Sequence, residues 1–412
     1  MAKQGGLKAE KKKRVVILNK FGARHPSITG SSSRDMADYL SGKGMDVVVV
    51  SIHAPYKGLV GNREEELPYR TIELPSLYNG NNKLLRLAGN LADGLRLIVR
   101  SMFLPRHDVK IVMTDPSLIN AWAVLFRPFF RSKLAFWTMD LYPDAFAAAG
   151  LVSKNNPVYR ALSAFVYGNV PDFLIALGEQ QYRYLCRQYK KEHIPHAILP
   201  CGIYENCPAK APAWRRKHTG KIVFCYAGNV GEAHNAGFLV DLINHLDPDK
   251  HVIVLCLYGA KASWVWGRID NGPAVERVDF VSRGELQYVD INVASLLPAW
   301  NHVCVPSKVV SAICAGTPVL YNADEESEGA CMFPDAVWLV PGSDTIADAI
   351  ACFLDGLAWD MIRQKREAAQ RYARGLMDMG LDGGVQTGQE STVTSRLYES
   401  LSGIKMYAEE EV

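Results

Sequence analysis

Residues 303–321 run Val-Cys-Val-Pro-Ser-Lys-Val-Val-Ser-Ala-Ile-Cys-Ala-Gly-Thr-Pro-Val-Leu-Tyr. The apolar trio Val303, Cys304 and Val305 predicts a short buried strand halted by Pro306, and Ser307 stands where a helix N-cap is expected. Small and branched residues then continue to Gly316, a residue suited to ending a helix, and Thr317-Pro318 turns the chain into a second apolar strand at Val319. The stretch therefore predicts a βαβ element whose helix begins at the carboxyl end of a strand, the repeating unit of a parallel sheet. Such a point suits an anion, because free backbone N–H groups, the positive end of the helix, the Ser307 hydroxyl and the Lys308 ammonium converge there. The other reading of the same residues is an ordinary strand-to-helix turn with a surface lysine.

Working outward, 412 residues are too many for one hydrophobic core and predict two domains. Apolar residues make up 48% and charged residues 22%, the balance of a globular protein, and no apolar run approaches the roughly 18 residues of a spanning helix. Lys3, Lys8, Lys11, Lys12, Lys13 and Arg14 are followed by a strand-like Val-Val-Ile-Leu rather than a signal-peptide core, so a cytoplasmic chain is expected. Nine cysteines without a Cys-x-x-Cys pair, several of them (Cys225, Cys256, Cys304) inside apolar runs, read as reduced core residues. A net charge of +3 with no recognisable RNA or DNA module argues against nucleic acid and directs any phosphate recognition toward a small molecule.

Taken in order, residues 13–19 predict a first strand, 21–33 a loop rich in Gly, Ser and basic residues, 34–40 a helix and 47–51 a second strand, the opening of a doubly wound sheet. Within that loop Gly30 and Ser31 are candidates for close approach to a ligand, or else part of a plain flexible connection. Over 83–103 the residues Leu84, Leu87, Leu91, Leu95, Ile98 and Met102 recur at helical spacing while Arg86, Arg96 and Arg100 fall elsewhere, which predicts a basic amphipathic helix. With the mixed aromatic and basic segment 125–133 it suits either a solvated face or a surface resting on anionic lipid headgroups. A strand at 134–138 leads directly into Asp140 and Asp144, where side chains beyond a strand's carboxyl end reach the ligand crevice of such sheets; Asp144 is equally placed to be a helix N-cap. After strands at 173–177 and 196–199 the grammar restarts: a strand at 222–227, a glycine turn at Gly228, Asn229, Val230 and Gly231, a helix at 236–246, a strand at 252–257 before Lys261, a strand at 278–281 and a helix at 289–297. Asp247-Pro-Asp249 reads as turn chemistry rather than a metal pair.

Several chemistries are excluded by what the chain lacks, namely a His cluster at zinc spacing, a G-x-S-x-G elbow and a G-x-x-x-x-G-K-[ST] loop. The residues present resemble the GT-B glycosyltransferases, in particular the retaining group known as family 4. The resemblance rests on Thr29-Gly30 before a helix, Asp140-Leu-Tyr-Pro-Asp144 with Gly150-Leu151, Tyr226-Ala-Gly-Asn-Val-Gly231 with His234, and above all Val305-Pro-Ser-Lys308 with Ala315-Gly-Thr-Pro-Val319.

The resemblance implies an α/β protein of two facing Rossmann-like domains, with residues 1–205 binding the acceptor, 206–220 a linker, 221–390 binding the nucleotide-sugar and 391–412 a helix returning to the first domain. It implies a metal-independent enzyme without a cofactor. The catalytic candidates are Asp140, Lys308 and Lys261, and the donor-binding candidates are Gly30, Ser31, Gly228, Asn229, Gly231, Pro306, Ser307, Lys308, Ser311 and Glu328. Two positions depart from the family pattern. Ser311 stands where many members have a Glu, with Ser327-Glu328 downstream, and Glu232 stands where many have a diphosphate-binding Arg. The expected partners are a nucleotide-sugar, a lipid-linked or glycan acceptor of envelope or exopolysaccharide synthesis, and the inner face of an anionic membrane. Two rival functions remain: a non-catalytic GT-B subunit that binds a partner or glycan, and a nucleotide-sugar 2-epimerase, whose catalytic carboxylates and histidines have no evident counterpart.

Overall fold

A computed structural model describes residues 12–25, 27–53, 66–80, 82–206, 210–270, 272–342 and 346–379. The helix expected over 391–412 lies outside them. Thirteen strands are described: β1 Arg14–Leu18, β2 Asp46–His53, β3 Arg70–Pro75, β4 Val109–Val112, β5 Lys133–Thr138, β6 Phe173–Ala176, β7 His196–Ile198, β8 Ile222–Asn229, β9 His251–Tyr258, β10 Val275–Arg277, β11 Ile291–Ser295, β12 Val319–Asn322 and β13 Val337–Val340. They form two sheets, ordered β3-β2-β1-β4-β5-β6-β7 and β10-β9-β8-β11-β12-β13. The pairings of β1 with β2 and β4, and of β8 with β9 and β11, are parallel, so both sheets are doubly wound with the switch of strand order beside their first strand. This is the GT-B architecture at the level of its two α/β sheets. By density of contacts, residues up to Trp137 together with Pro171–Leu174 form one unit, and Thr138–Val170 with the described residues from Ile175 onward form a second.

Strands buried on both faces need near-continuous apolar runs. Val-Val-Ile-Leu in β1 and Val-Ile-Val-Leu-Cys in β9 supply them, with Ile17, Leu18, Ile253 and Leu255 wholly buried. In the second unit Phe224, Leu255, Phe238, Leu242 and Val265 pack into one cluster beneath the six-stranded sheet. Burying each such side chain contributes about 1.5–3 kcal/mol.

Several expected elements move. The helix expected over 289–297 is strand β11, all five residues of which are buried, and it pairs in parallel with β12. A short apolar run bounded by Asp290 and Pro298 fits either period, and pairing between two strands decides it. Conversely, 303–305 is not a strand: only Cys304 makes a bridge, antiparallel to Asp140. The βαβ unit is thus β11, the helix Ser307–Cys314 and β12. The strand expected at 278–281 is instead the preceding Val275–Arg277. The loop expected over 21–33 ends early, because Ser27 caps a helix that spans Ile28–Gly42 by accepting the Gly30 N–H on its side chain. Strands β3 and β13 and the helices Ile346–Asp355 and Trp359–Met379 add to the elements that the sequence predicts.

Candidate functional site

The helix Ser307–Cys314 begins after Pro306, whose φ of −66° and extended ψ make it the N-cap; Ser307 is the first helical residue and not the expected cap. Pro306 has no side-chain acceptor to offer, so the N-cap residue itself caps no N–H of the helix with its side chain. From the first turn Lys308 reaches across to β8, where its Nζ donates to the Asn229 carbonyl at 2.8 Å and contacts His234 Nε2 at 3.2 Å, 5.2 Å from the centre of the Tyr226 ring. Gly228 makes this path available. Its φ is +128°, and a Cβ there would lie 3.1 Å from the Lys308 Cε.

A second cation joins the same turn. Lys261, just past β9, donates to the carbonyls of Glu232 at 3.0 Å and His234 at 2.9 Å. His234 connects the two lysines. Its Nδ1 lies 2.8 Å from the Ser295 carbonyl and so carries the proton, leaving Nε2 as the acceptor toward Lys308. Burial, then the Lys308 charge, pushes its pKa down to about 3, so the imidazole is neutral and the positive charge at the turn belongs to the lysines. Burial lowers the Lys261 pKa, and the Glu232 charge opposes that shift. Glu232 itself is exposed. The turn from Gly228 to His234, built by β8 and closed by Gly259 at φ +103° against the Asn229 amide, is therefore a fixed cradle with two ammonium groups.

Asp140 enters the second unit beside these residues through the Cys304 bridge, and Leu141 N–H donates to the Val303 carbonyl at 2.9 Å. Burial first, and the Asp140 charge next, hold the Cys304 thiol well above its ordinary pKa, with Lys308 pulling the other way. Asp140 and Lys308 thus act on one thiol with opposite sign, and that thiol stays protonated. Asp144 is neither cap nor solvent-facing, since Pro143 is the N-cap and the buried Asp144 carboxylate accepts hydroxyls from Tyr159 at 3.2 Å, Tyr184 at 2.8 Å and Tyr167. Desolvation raises the pKa of all three tyrosines, that of Tyr159 to about 12, which keeps them donors. The network pins the loop that carries Asp140, and no spacing of the three tyrosines signals it.

The remaining candidates are placed otherwise. Ser311 Oγ donates to the Gly202 carbonyl at 3.0 Å and is buried. Glu328, 2% exposed, accepts the Gln181 N–H at 2.9 Å at the start of the helix Glu179–Tyr189. Burial raises its pKa, and bonds from Gln181, Gln180 and Glu179 counter that. Its carboxylate is committed to a helix N-terminus, where it satisfies otherwise orphan donors. Gly30 and Ser31 lie in the first turn of the helix Ile28–Gly42 in the other unit, with the Ser31 N–H on the Ser27 carbonyl at 2.8 Å. Asp247 accepts the Asp249 N–H at 2.9 Å, as a turn requires. Among the described residues no group of His, Cys, Asp and Glu is arranged to hold a metal ion.

No protein-family profile matches the chain, and no curated protein matches it in sequence. Solved structures do match in fold. Sucrose-phosphate synthase from Thermosynechococcus elongatus superposes with a TM-score of 0.67 at 13% identity, over 89% of this chain and 95% of that one. WaaG, a glycosyltransferase involved in lipopolysaccharide biosynthesis, gives 0.61 at 14% identity over 95% and 100%. Anabaena HepE, solved in complex with UDP and glucose, gives 0.63 at 13% identity over 95% and 100%. At such identities the likeness establishes the fold, two parallel α/β sheets of GT-B type.

Proposed function

We propose that the chain is a glycosyltransferase that takes a sugar from a nucleotide-sugar, binding the diphosphate of the donor at the Gly228–His234 turn within a nucleotide-binding domain of residues 221–390. The observation that carries this reading is the convergence of Lys308 and Lys261 on one turn through His234. Two ammonium groups held on carbonyl oxygens, beside the N-terminus of the helix Ser307–Cys314, match the charge of a departing nucleoside diphosphate and require no metal. As the bond to the sugar C1 breaks, negative charge grows on the phosphate oxygen, and preorganised cations stabilise that state more than the ground state. Asp140, anchored at Cys304, is the carboxylate that serves the sugar or the acceptor. Gly228, Asn229 and Gly231 bring backbone close to the phosphates, and Pro306 and Ser307 present the helix start.

The finer reading is a retaining, family 4 type hexosyltransferase with a lipid-linked glycan acceptor, acting in envelope or exopolysaccharide synthesis at the inner membrane face. Support for the surface comes from the helix Lys83–Met102, whose Leu84, Leu85 and Leu87 are exposed beside Arg86. No described helix is long and apolar enough to cross a membrane. One observation favours a second reading, a non-catalytic subunit: Ser311 and Glu328 spend their polar groups on backbone rather than offering them to a sugar. Release of nucleoside diphosphate from a panel of nucleotide-sugars, with and without a lipid-linked acceptor, separates the two. Turnover supports the enzyme, whereas tight nucleotide binding without release in any combination supports the subunit.

A further inference from the structure

In the first unit, a lysine sits where strand chemistry has no place for one. Lys110 lies within β4, Val-Lys-Ile-Val, and is 1% exposed. Its ammonium lies 3.4 Å from the centre of the Phe130 ring. Among the described residues it makes no salt bridge, while its neighbours Arg127 and Lys133 share Asp172 at 3.2 and 3.3 Å. A π face offsets only part of the cost of taking an ammonium out of water.

The ammonium does not lie in a closed core. Lys110 lines a cavity of about 250 Å³, together with Arg106, His107, Arg131 and Ser132 and the apolar Met102 and Phe129. Two further polar atoms there are buried without a hydrogen-bond partner, His107 Nε2 and Ser132 Oγ. His107 is 9% exposed, and its other nitrogen, Nδ1, lies 3.4 Å from the Pro105 carbonyl. Buried polar atoms are satisfied in the great majority of cases, so two orphans beside an uncompensated ammonium in one cavity call for a partner that the chain does not supply. The cavity opens at the amino ends of β4 and β5, whereas ligand crevices of such sheets lie at the carboxyl ends.

We propose that this cavity is a phosphate site, in which the oxyanion of a phosphate ester or of inorganic phosphate accepts from Lys110, Ser132, Arg131 and a protonated His107. The lining fits that chemistry: its charged side chains are basic, the one acid next in sequence, Asp108, is occupied by the Arg14 N–H at 2.8 Å, and the Arg14 guanidinium rests on the Arg106 carbonyl. The exposed Phe129 at 68% gives the mouth an apolar side, which suits a phosphate carried on a lipid. Burial lowers the Lys110 pKa to about 7 and, with Lys110, that of His107 to about 4. An anion favours the charged form of both, so binding draws protons onto Lys110 and His107. This inference does not depend on the proposed function.

The test uses the full chain carrying Lys308→Ala and Lys261→Ala, which silences the turn of the second unit. Inorganic phosphate is titrated by calorimetry, and flotation is measured with phosphatidylcholine vesicles containing or lacking phosphatidic acid. Lys110→Met is expected to weaken binding of the responding probe at least tenfold and to reduce its pH dependence, and Ser132→Ala to weaken it severalfold. A response to free phosphate identifies a soluble ligand, and a response confined to phosphatidic acid vesicles identifies a lipid headgroup; either upholds the site. Binding of neither probe, or equal binding by the Lys110→Met and Ser132→Ala variants and their parent, overturns it.

Discussion

Lys308 in the second unit and Lys110 in the first are both withdrawn from water, and the chain treats them in opposite ways. Lys308 is half-buried and given a carbonyl and a neutral imidazole, so its charge is fixed in position with Lys261 beside it. Lys110 is wholly buried and given only an aromatic face. The difference separates an organised cation, already solvated by protein, from one whose burial costs the fold stability. Burial alone therefore says little about a lysine's role, and its acceptors say most.

The largest expected effect breaks this comparison at Lys110. A folded-state pKa near 7, below the unfolded value of about 10.4, means the unfolded chain binds more protons between those limits. Wild-type stability thus rises with pH across that window, and the penalty is complete below about pH 7. Lys110→Met in phosphate-free buffer should gain about 2–4 kcal/mol at pH 6.5 by urea unfolding and lose most of that gain by pH 10. A gain that does not change with pH would mean that charge is not the cause.

A smaller effect sharpens the other half. Gly228→Ala forces a side chain into φ +128° and against the Lys308 Cε, and should cost about 1–3 kcal/mol of stability. It should also weaken nucleoside diphosphate binding; a variant destabilised but with unchanged affinity would show that Lys308 needs no fixed path. The smallest effect concerns Glu232. It is exposed and its charge favours the charged form of Lys261, so Glu232→Gln should alter nucleotide affinity by less than twofold, under about 0.5 kcal/mol. A tenfold gain would instead place that carboxylate against the phosphates.

How far the residues alone reveal this arrangement depends on what each signal measures. The Pro306-Ser-Lys308 helix start and the Gly228 turn are legible, because proline, a positive-φ glycine and a lysine at a strand end have local causes. Strand β11 is not, since five buried residues fit a helix as well and only pairing with β8 and β12 decides. Gly30 reads as a loop residue, yet Ser27 starts the helix ahead of it, a capping signal outweighed by the run of serines. Glu328 and Asp144 look available for substrate, but partners distant in the chain, Gln181 in one case and Tyr159, Tyr167 and Tyr184 in the other, engage their carboxylates. Lys110 carries a visible signal, a cation in an apolar strand, whose meaning needs the cavity.

The central claim is that Lys308 and Lys261 hold a diphosphate, and its most direct test is nucleoside diphosphate affinity measured by calorimetry in the presence of a chelator. Wild type should bind without divalent metal, and Lys308→Ala and Lys261→Ala should each lose about 1–3 kcal/mol, as for a charge-assisted hydrogen bond. Unchanged affinity in both variants, or binding that appears only when Mg²⁺ is added, would contradict it.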